Sequence, residues 1–195
     1  MKKTLLKRIL LASSLAVSIT YLSAGTASAQ TAIVYGQGNQ LKSCYNAALI
    51  PSQMASSIER CDKALANDMV PKRHKAHILV NRGILFQANG DYAKAYDDYQ
   101  RALELNANLP EAYANRGIIY FLMNRNDLAL LDYDRALAGG SAFESRVRLN
   151  RAMALMDAGR AAEAKAEYQL AQQATENKEG VRQKWASFMA EREGV

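Results

Sequence analysis

Asn81-Arg82-Gly83-Ile84-Leu85-Phe86-Gln87-Ala88-Asn89-Gly90-Asp91-Tyr92-Ala93-Lys94-Ala95-Tyr96-Asp97-Asp98-Tyr99-Gln100-Arg101-Ala102-Leu103 decides the fold, because the chain repeats it 34 residues later from Asn115 to Leu137. The copies pair Asn81-Arg82-Gly83-Ile84 with Asn115-Arg116-Gly117-Ile118, Phe86 with Tyr120, Ala95 with Ala129, Asp98-Tyr99 with Asp132-Tyr133, and Arg101-Ala102-Leu103 with Arg135-Ala136-Leu137. A fainter copy starts 35 residues further on at Asn150-Arg151-Ala152 and runs through Leu155, Ala164, Glu167-Tyr168 and Ala171. A fixed period of this length means one supersecondary unit stacked on its neighbours.

The spacing within the unit identifies it as a pair of helices. Leu79, Gly83 and Phe86 fall at i, i+4 and i+7, as do Ala95, Tyr99 and Ala102, so each half carries one apolar stripe at helical period. Between the halves, Gly90 suits the left-handed backbone that closes a helix, and Asp91 is expected to cap the next one. Asn124 and Gly159 fill the place of Gly90 in the later copies, and both residue types accept that backbone. Gly83, Gly117 and Ala152, set against Ala95, Ala129 and Ala164, let two helix backbones approach, while Tyr99, Tyr133 and Tyr168 fill the space toward the next unit.

On these residues the chain resembles the tetratricopeptide repeat family across roughly residues 76 to 178: the period, the Gly column, Gly90-Asp91-Tyr92 and the Ala/Tyr/Ala columns coincide. Leu79, Tyr113 and Arg148 stand where that family often has Trp, and Ala107 where it often has Pro. Arg148, in a usually buried column, points to an exposed or terminal third repeat. The resemblance implies an all-α, right-handed solenoid of antiparallel helix pairs whose first helices line a concave face.

The N-terminus reads differently. Lys2, Lys3, Lys7 and Arg8, the apolar run Ile9 to Leu22 and the small-residue site Ala27-Ser28-Ala29 describe a secretory signal peptide over residues 1–29, cleaved after Ala29. A retained membrane anchor is the alternative, but the apolar run is short for a span. No Cys follows the run and Lys7-Arg8 is no twin-arginine signal, so Sec-type export is expected, with a periplasmic or secreted product not stably inserted in a membrane. The formal charge of +6 belongs largely to this segment. It holds 4 of the 25 basic and none of the 19 acidic residues, leaving 21 against 19, or +2. Without a dense basic patch, nucleic acid is a poor candidate partner.

Residues 30–40, polar and Gly-containing, read as a flexible lead-in. A degenerate first helix pair is expected over 41–71, broken at Pro51-Ser52, in which Cys61-Asp62-Lys63-Ala64-Leu65 mimics Tyr99-Gln100-Arg101-Ala102-Leu103. Cys61 then takes the place of the packing Tyr and Cys44 that of Arg82, so both sulfurs lie near one helix seam. In an exported chain a Cys44–Cys61 disulfide is the economical reading, with two buried thiols or metal ligands as alternatives. His74 and His77 fall at i and i+3, but no C-x-x-C element accompanies them, and no metal site is expected.

Full repeats are expected at 76–109, 110–143 and 145–178, with a capping helix over 179–193 where Val181, Trp185, Phe188 and Met189 keep helical spacing. Trp185 is expected in the core rather than as a ligand stack. Gly139-Gly140-Ser141 lengthens one connection by a residue.

Function is expected to be binding. There is no catalytic triad, no Gly-rich phosphate loop and no cofactor motif, so neither enzyme activity nor a cofactor is expected. Asn81, Asn115 and Asn150 form one column and Arg82, Arg116 and Arg151 the next. The Arg residues are expected to pair with Asp98, Asp132 and Glu167. An Asn ladder on a concave face has two readings, contact with the backbone of an extended peptide or a purely structural place in the repeat. Val80, Ile84, Ile118, Leu149 and Met153, with Ala114, would make that face apolar, with His77, Glu111 and Arg146 toward one edge. The resemblance implies, in some chaperone-binding members, a Lys/Asn/Arg clamp for a terminal carboxylate, but Val80, Ala114 and Leu149 precede the Asn residues and the Lys pattern is not evident. The expected partner is an unidentified exported protein or peptide segment; a self-associating subunit of an envelope complex is the alternative.

Overall fold

The computed structural model describes Cys44, residues 54–140 and residues 143–193, and among these the regular structure is α-helical with no strand. The expected signal peptide, the lead-in, most of the first half of the degenerate pair and Ser141 lie outside the described residues. The helices are α1 (Met54–Ala66), α2 (Lys72–Ala88), α3 (Tyr92–Leu105), α4 (Pro110–Leu122), α5 (Asn126–Ala138), α6 (Glu144–Asp157), α7 (Ala161–Gln173) and α8 (Lys178–Glu193). Helix α2 begins four residues before the expected repeat start at Ala76.

Each helix pair turns by the same hydrogen-bonded device. Gly90 has φ +83°, Asn124 +66° and Gly159 +79°. The amide of Gly90 donates to the Gln87 carbonyl at 3.1 Å and that of Asp91 to Phe86 at 2.8 Å. Asn124 and Arg125 do the same to Phe121 and Tyr120, and Gly159 and Arg160 to Met156 and Leu155. This double closure satisfies carbonyls that a helix end leaves open. The expectation that Asp91 caps α3 is corrected: its side chain makes no cap hydrogen bond. Its carboxylate instead accepts from Asn89 Nδ2 at 3.1 Å and faces Lys94 Nζ at 3.5 Å.

The contacts fall into two compact units that divide inside α4, between Ala112 and Tyr113. Helices in a repeat array bury surface mainly against their neighbours, so contact density is local. In the first unit α1 packs on α2 and α2 on α3; in the second α7 packs on α6, α5 on α6, and α8 against both α6 and α7.

The seam of each pair is a glycine under a tyrosine ring. Tyr99 and Tyr133 are fully buried, and a methyl group placed on Gly83 would sit 2.5 Å from Tyr99 Cε1, on Gly117 2.7 Å from Tyr133 Cε1. The third pair has Ala152 in the Gly place, and Tyr168 there is half-buried, its ring stacked on Trp185 with centroids 4.9 Å apart. Trp185 also meets Phe188 at 5.7 Å, so it packs the join of α8 to the third repeat. Arg148 is partly exposed, its Nε donating to Glu144 at 2.7 Å.

In the first unit Cys61 fills the Tyr place and is joined to Cys44 across 17 residues, with Cα atoms 4.7 Å apart. The pair is buried with Ala64, Ile78 and Leu85, and Met54, Ile58, Leu65 and Val70 close the cluster.

Gly83→Ala should destabilise the chain by about 1–3 kcal/mol through overpacking, since the Tyr99 ring is wedged with no space to retreat. Denaturant melts of the variant check this; an unchanged midpoint would show that the ring moves freely.

Candidate functional site

The polar columns separate once their partners are seen. Arg82 forks onto Asp98, Nε to Oδ2 at 2.7 Å and Nη2 to Oδ1 at 2.6 Å, and its Nη1 reaches Asp62 Oδ1 at 2.5 Å. Hydrogen bonding to Asp98 above all, aided by Asp62 and opposed by burial, raises the Arg82 pKa further above its usual range. Arg116 forks onto Asp132 at 2.8 Å for both bonds. Arg151 meets Glu167 at 3.1 Å and Asp134 at 2.8 Å. Asp62 and Asp134 hold equivalent places two repeats apart, with Gln100 between them, so Arg82 and Arg151 each tie their own second helix to the helix before. The Arg column is structural, as the spacing implied.

The Asn column is different. Asn81 is 1% exposed and Asn150 4%, yet Nδ2 of Asn81 and Oδ1 of Asn150 have no hydrogen-bond partner. A buried amide atom left open costs about 1–3 kcal/mol. Asn115 is half-exposed. Of the apolar residues expected beside them, Val80, Ile118, Leu149 and Met153 are buried and Ile84 is half-exposed. In the first unit Val80, Asn81 and Ile84 share α2; in the second Asn115 and Ile118 share α4, and Leu149, Asn150 and Met153 share α6.

One place in the repeat is titratable in all three first helices: His77 in the second turn of α2, Glu111 in the first turn of α4 and Arg146 in the first turn of α6. Burial, with the charge of His74 second, lowers the His77 pKa; burial raises that of Glu111 and lowers that of Arg146. Sequence reasoning placed these residues at an edge but missed that Arg146 lies over the Phe143 ring at 5.3 Å and that Lys184 of α8 comes close enough for the two cations to repel. Burial and Arg146 bring the Lys184 pKa down to about 8.

Among the described residues no group of His, Cys, Asp and Glu is arranged to hold a metal ion, and no helix is long and apolar enough to cross a membrane. The helix pairs are closed by one repeated turn and a Gly–Tyr seam, and residues 76–109 match the tetratricopeptide repeat. Residues 76–109 are a tetratricopeptide repeat. The chain is 41% identical over 73 residues to the photosystem I assembly protein Ycf3 of Acaryochloris marina, covering 37% of this chain and 43% of that protein. It is 33% identical over 73 residues to human tetratricopeptide repeat protein 13, covering 36% of this chain and 8% of that one. The chain thus spans less than half the length of these curated relatives. Among solved structures it is similar in fold to a thermophilic repeat protein of Thermus thermophilus, with TM-score 0.60 at 17% identity, covering 75% of this chain and 81% of that one. MamA gives 0.57 at 22% identity, covering 73% and 76%.

If the Asn150 amide serves a partner rather than the fold, Asn150→Leu should leave the melting temperature of the chain unchanged or raise it, since it removes an unsatisfied buried amide. Calorimetry decides; a loss of several degrees would return Asn150 to a structural role.

Proposed function

We propose that this chain is a non-enzymatic adaptor that holds a segment of another exported protein against the first helices of its repeats. The observation that carries the reading is the pair of buried, unpartnered amide atoms, Asn81 Nδ2 and Asn150 Oδ1. A peptide backbone offers both an acceptor for the first and a donor for the second. The repeat period puts one Asn at this place in each first helix, buried at Asn81 and Asn150 and half-exposed at Asn115. Half-exposed Ile84 and Asn115 are the accessible members of the set; Val80, Ile118, Leu149 and Met153 are buried in the helix packing. Partner handling is supported by the names of the relatives, one of which is an assembly protein.

Export to the periplasm or beyond belongs to the same proposal. It rests on the leader-like residues 1–29 and on the buried Cys44–Cys61 pair, which suits an oxidising compartment.

Each Asn hydrogen bond is worth about 0.5–1.5 kcal/mol, so Asn115→Ala should weaken a crosslinked and purified partner several-fold without moving the melting temperature. Ile84→Glu should abolish binding in a chain that still folds. Full affinity in both variants would sink the site. For the compartment, protein recovered from the periplasm should titrate no free thiol when denatured without reductant, and reduction should lower stability by about 3 kcal/mol. Two titratable thiols would overturn that part.

A further inference from the structure

We propose that Arg146 and Lys184 form the receptor for an acidic side chain, Asp or Glu, on the bound segment. This rests on the partner-binding reading above and specifies the chemistry of the segment at one point.

Arg146 opens α6 and Lys184 sits midway along α8, two helices packed against each other. Both side chains are half-buried; burial lowers the basicity of each, and the charge of Arg146 lowers that of Lys184 further. Neighbouring arginines are all neutralised. Arg148 meets Glu144 and Glu167, Arg151 meets Asp134 and Glu167, and Arg192 meets Asp157. Arg146 has only the face of Phe143, and among the described residues no carboxylate pairs with it. A desolvated guanidinium without an anion is costly, and removal of that cost is available binding free energy.

The second observation lies one turn along the same helix. Arg146, Asn150 and Met153 fall at i, i+4 and i+7, so they share one face of α6, and the Asn150 Oδ1 is the buried acceptor without a donor. Cation and amide acceptor in line fit two features of a segment, a carboxylate and a backbone N–H. The spacing selects the source of the carboxylate. Four residues of helix rise about 6 Å, and a helical side chain leans toward the N-terminus, which carries the guanidinium further from Asn150. A terminal carboxylate adjoins its own N–H too closely to span that gap, whereas the arm of an Asp or Glu reaches across it.

The test uses the full chain after removal of residues 1–29 and a displayed library of random segments fused at both ends, so that no free carboxylate is present. Selected binders should carry Asp or Glu at one position. Its replacement by Asn or Gln should weaken binding about ten-fold, and that loss should vanish in Arg146→Gln. Lys184→Gln should shrink it. Arg146→Gln should melt no lower than the parent, which a structural ion pair would not allow. Binders without acid preference, binders indifferent to Arg146→Gln, or binders that need a free C-terminus would overturn the assignment. If such binders still lose affinity in Asn115→Ala, the adaptor reading stands and only the acid receptor falls. A library that yields no binder overturns both.

Discussion

The fit of a tyrosine ring onto a bare glycine is the constraint on which the repeats depend. Tyr99 over Gly83 and Tyr133 over Gly117 bring two helix backbones to a separation that any Cβ would prevent. With that separation set, the Arg of the adjoining position on the helix reaches the Asp preceding the Tyr, so apolar packing and the buried Arg–Asp forks are two results of one geometry. The third repeat shows what happens when the constraint relaxes. Ala152 stands in place of glycine, Glu167 in place of Asp, and Tyr168 turns its face to Trp185 of α8. The end of the array is sealed by aromatic stacking where its interior is sealed by burial.

The two buried tyrosines also differ in their hydroxyls. Tyr99 donates to Gln87 Oε1 at 3.0 Å, whereas the equivalent of Gln87 in the next repeat is Phe121 and the Tyr133 hydroxyl has no partner. Burial raises the pKa of both phenols well above the usual range, so neither ionises in the physiological window. The repeat tolerates an unsatisfied phenol because the ring, rather than the hydroxyl, does the packing.

Most of the fold was legible in the sequence because its determinants repeat. A residue that recurs every 34 positions reports a shared environment, and the Gly and Tyr columns, the left-handed turn residues and the Arg–carboxylate pairs were all readable that way. What could not be read is what occurs once. Asp91 was expected to cap α3 from its residue type alone, but Arg125 and Arg160 occupy that place in the later copies, which was the available sign that a backbone closure, not a side-chain cap, is what the repeats share. The meeting of Arg146 with Lys184 depends on how α8 lies on α6, and no repeat of the pattern announces it. Nor did the Asn column reveal its burial: the same residue type serves a half-exposed place on α4 and enclosed ones on α2 and α6.

The shared arginines carry a consequence for the order in which the first unit comes apart. Arg82 is held by Asp98 through two bonds and by Asp62 of α1 through one. When α1 separates from α2, the guanidinium loses Asp62 but keeps its fork, so no charge is stranded. When α3 leaves, the same guanidinium loses both bonds of the fork and keeps only the single bond to Asp62, so this opening is the more expensive one. Amide exchange in α2 and α3 would then proceed together as one slow body.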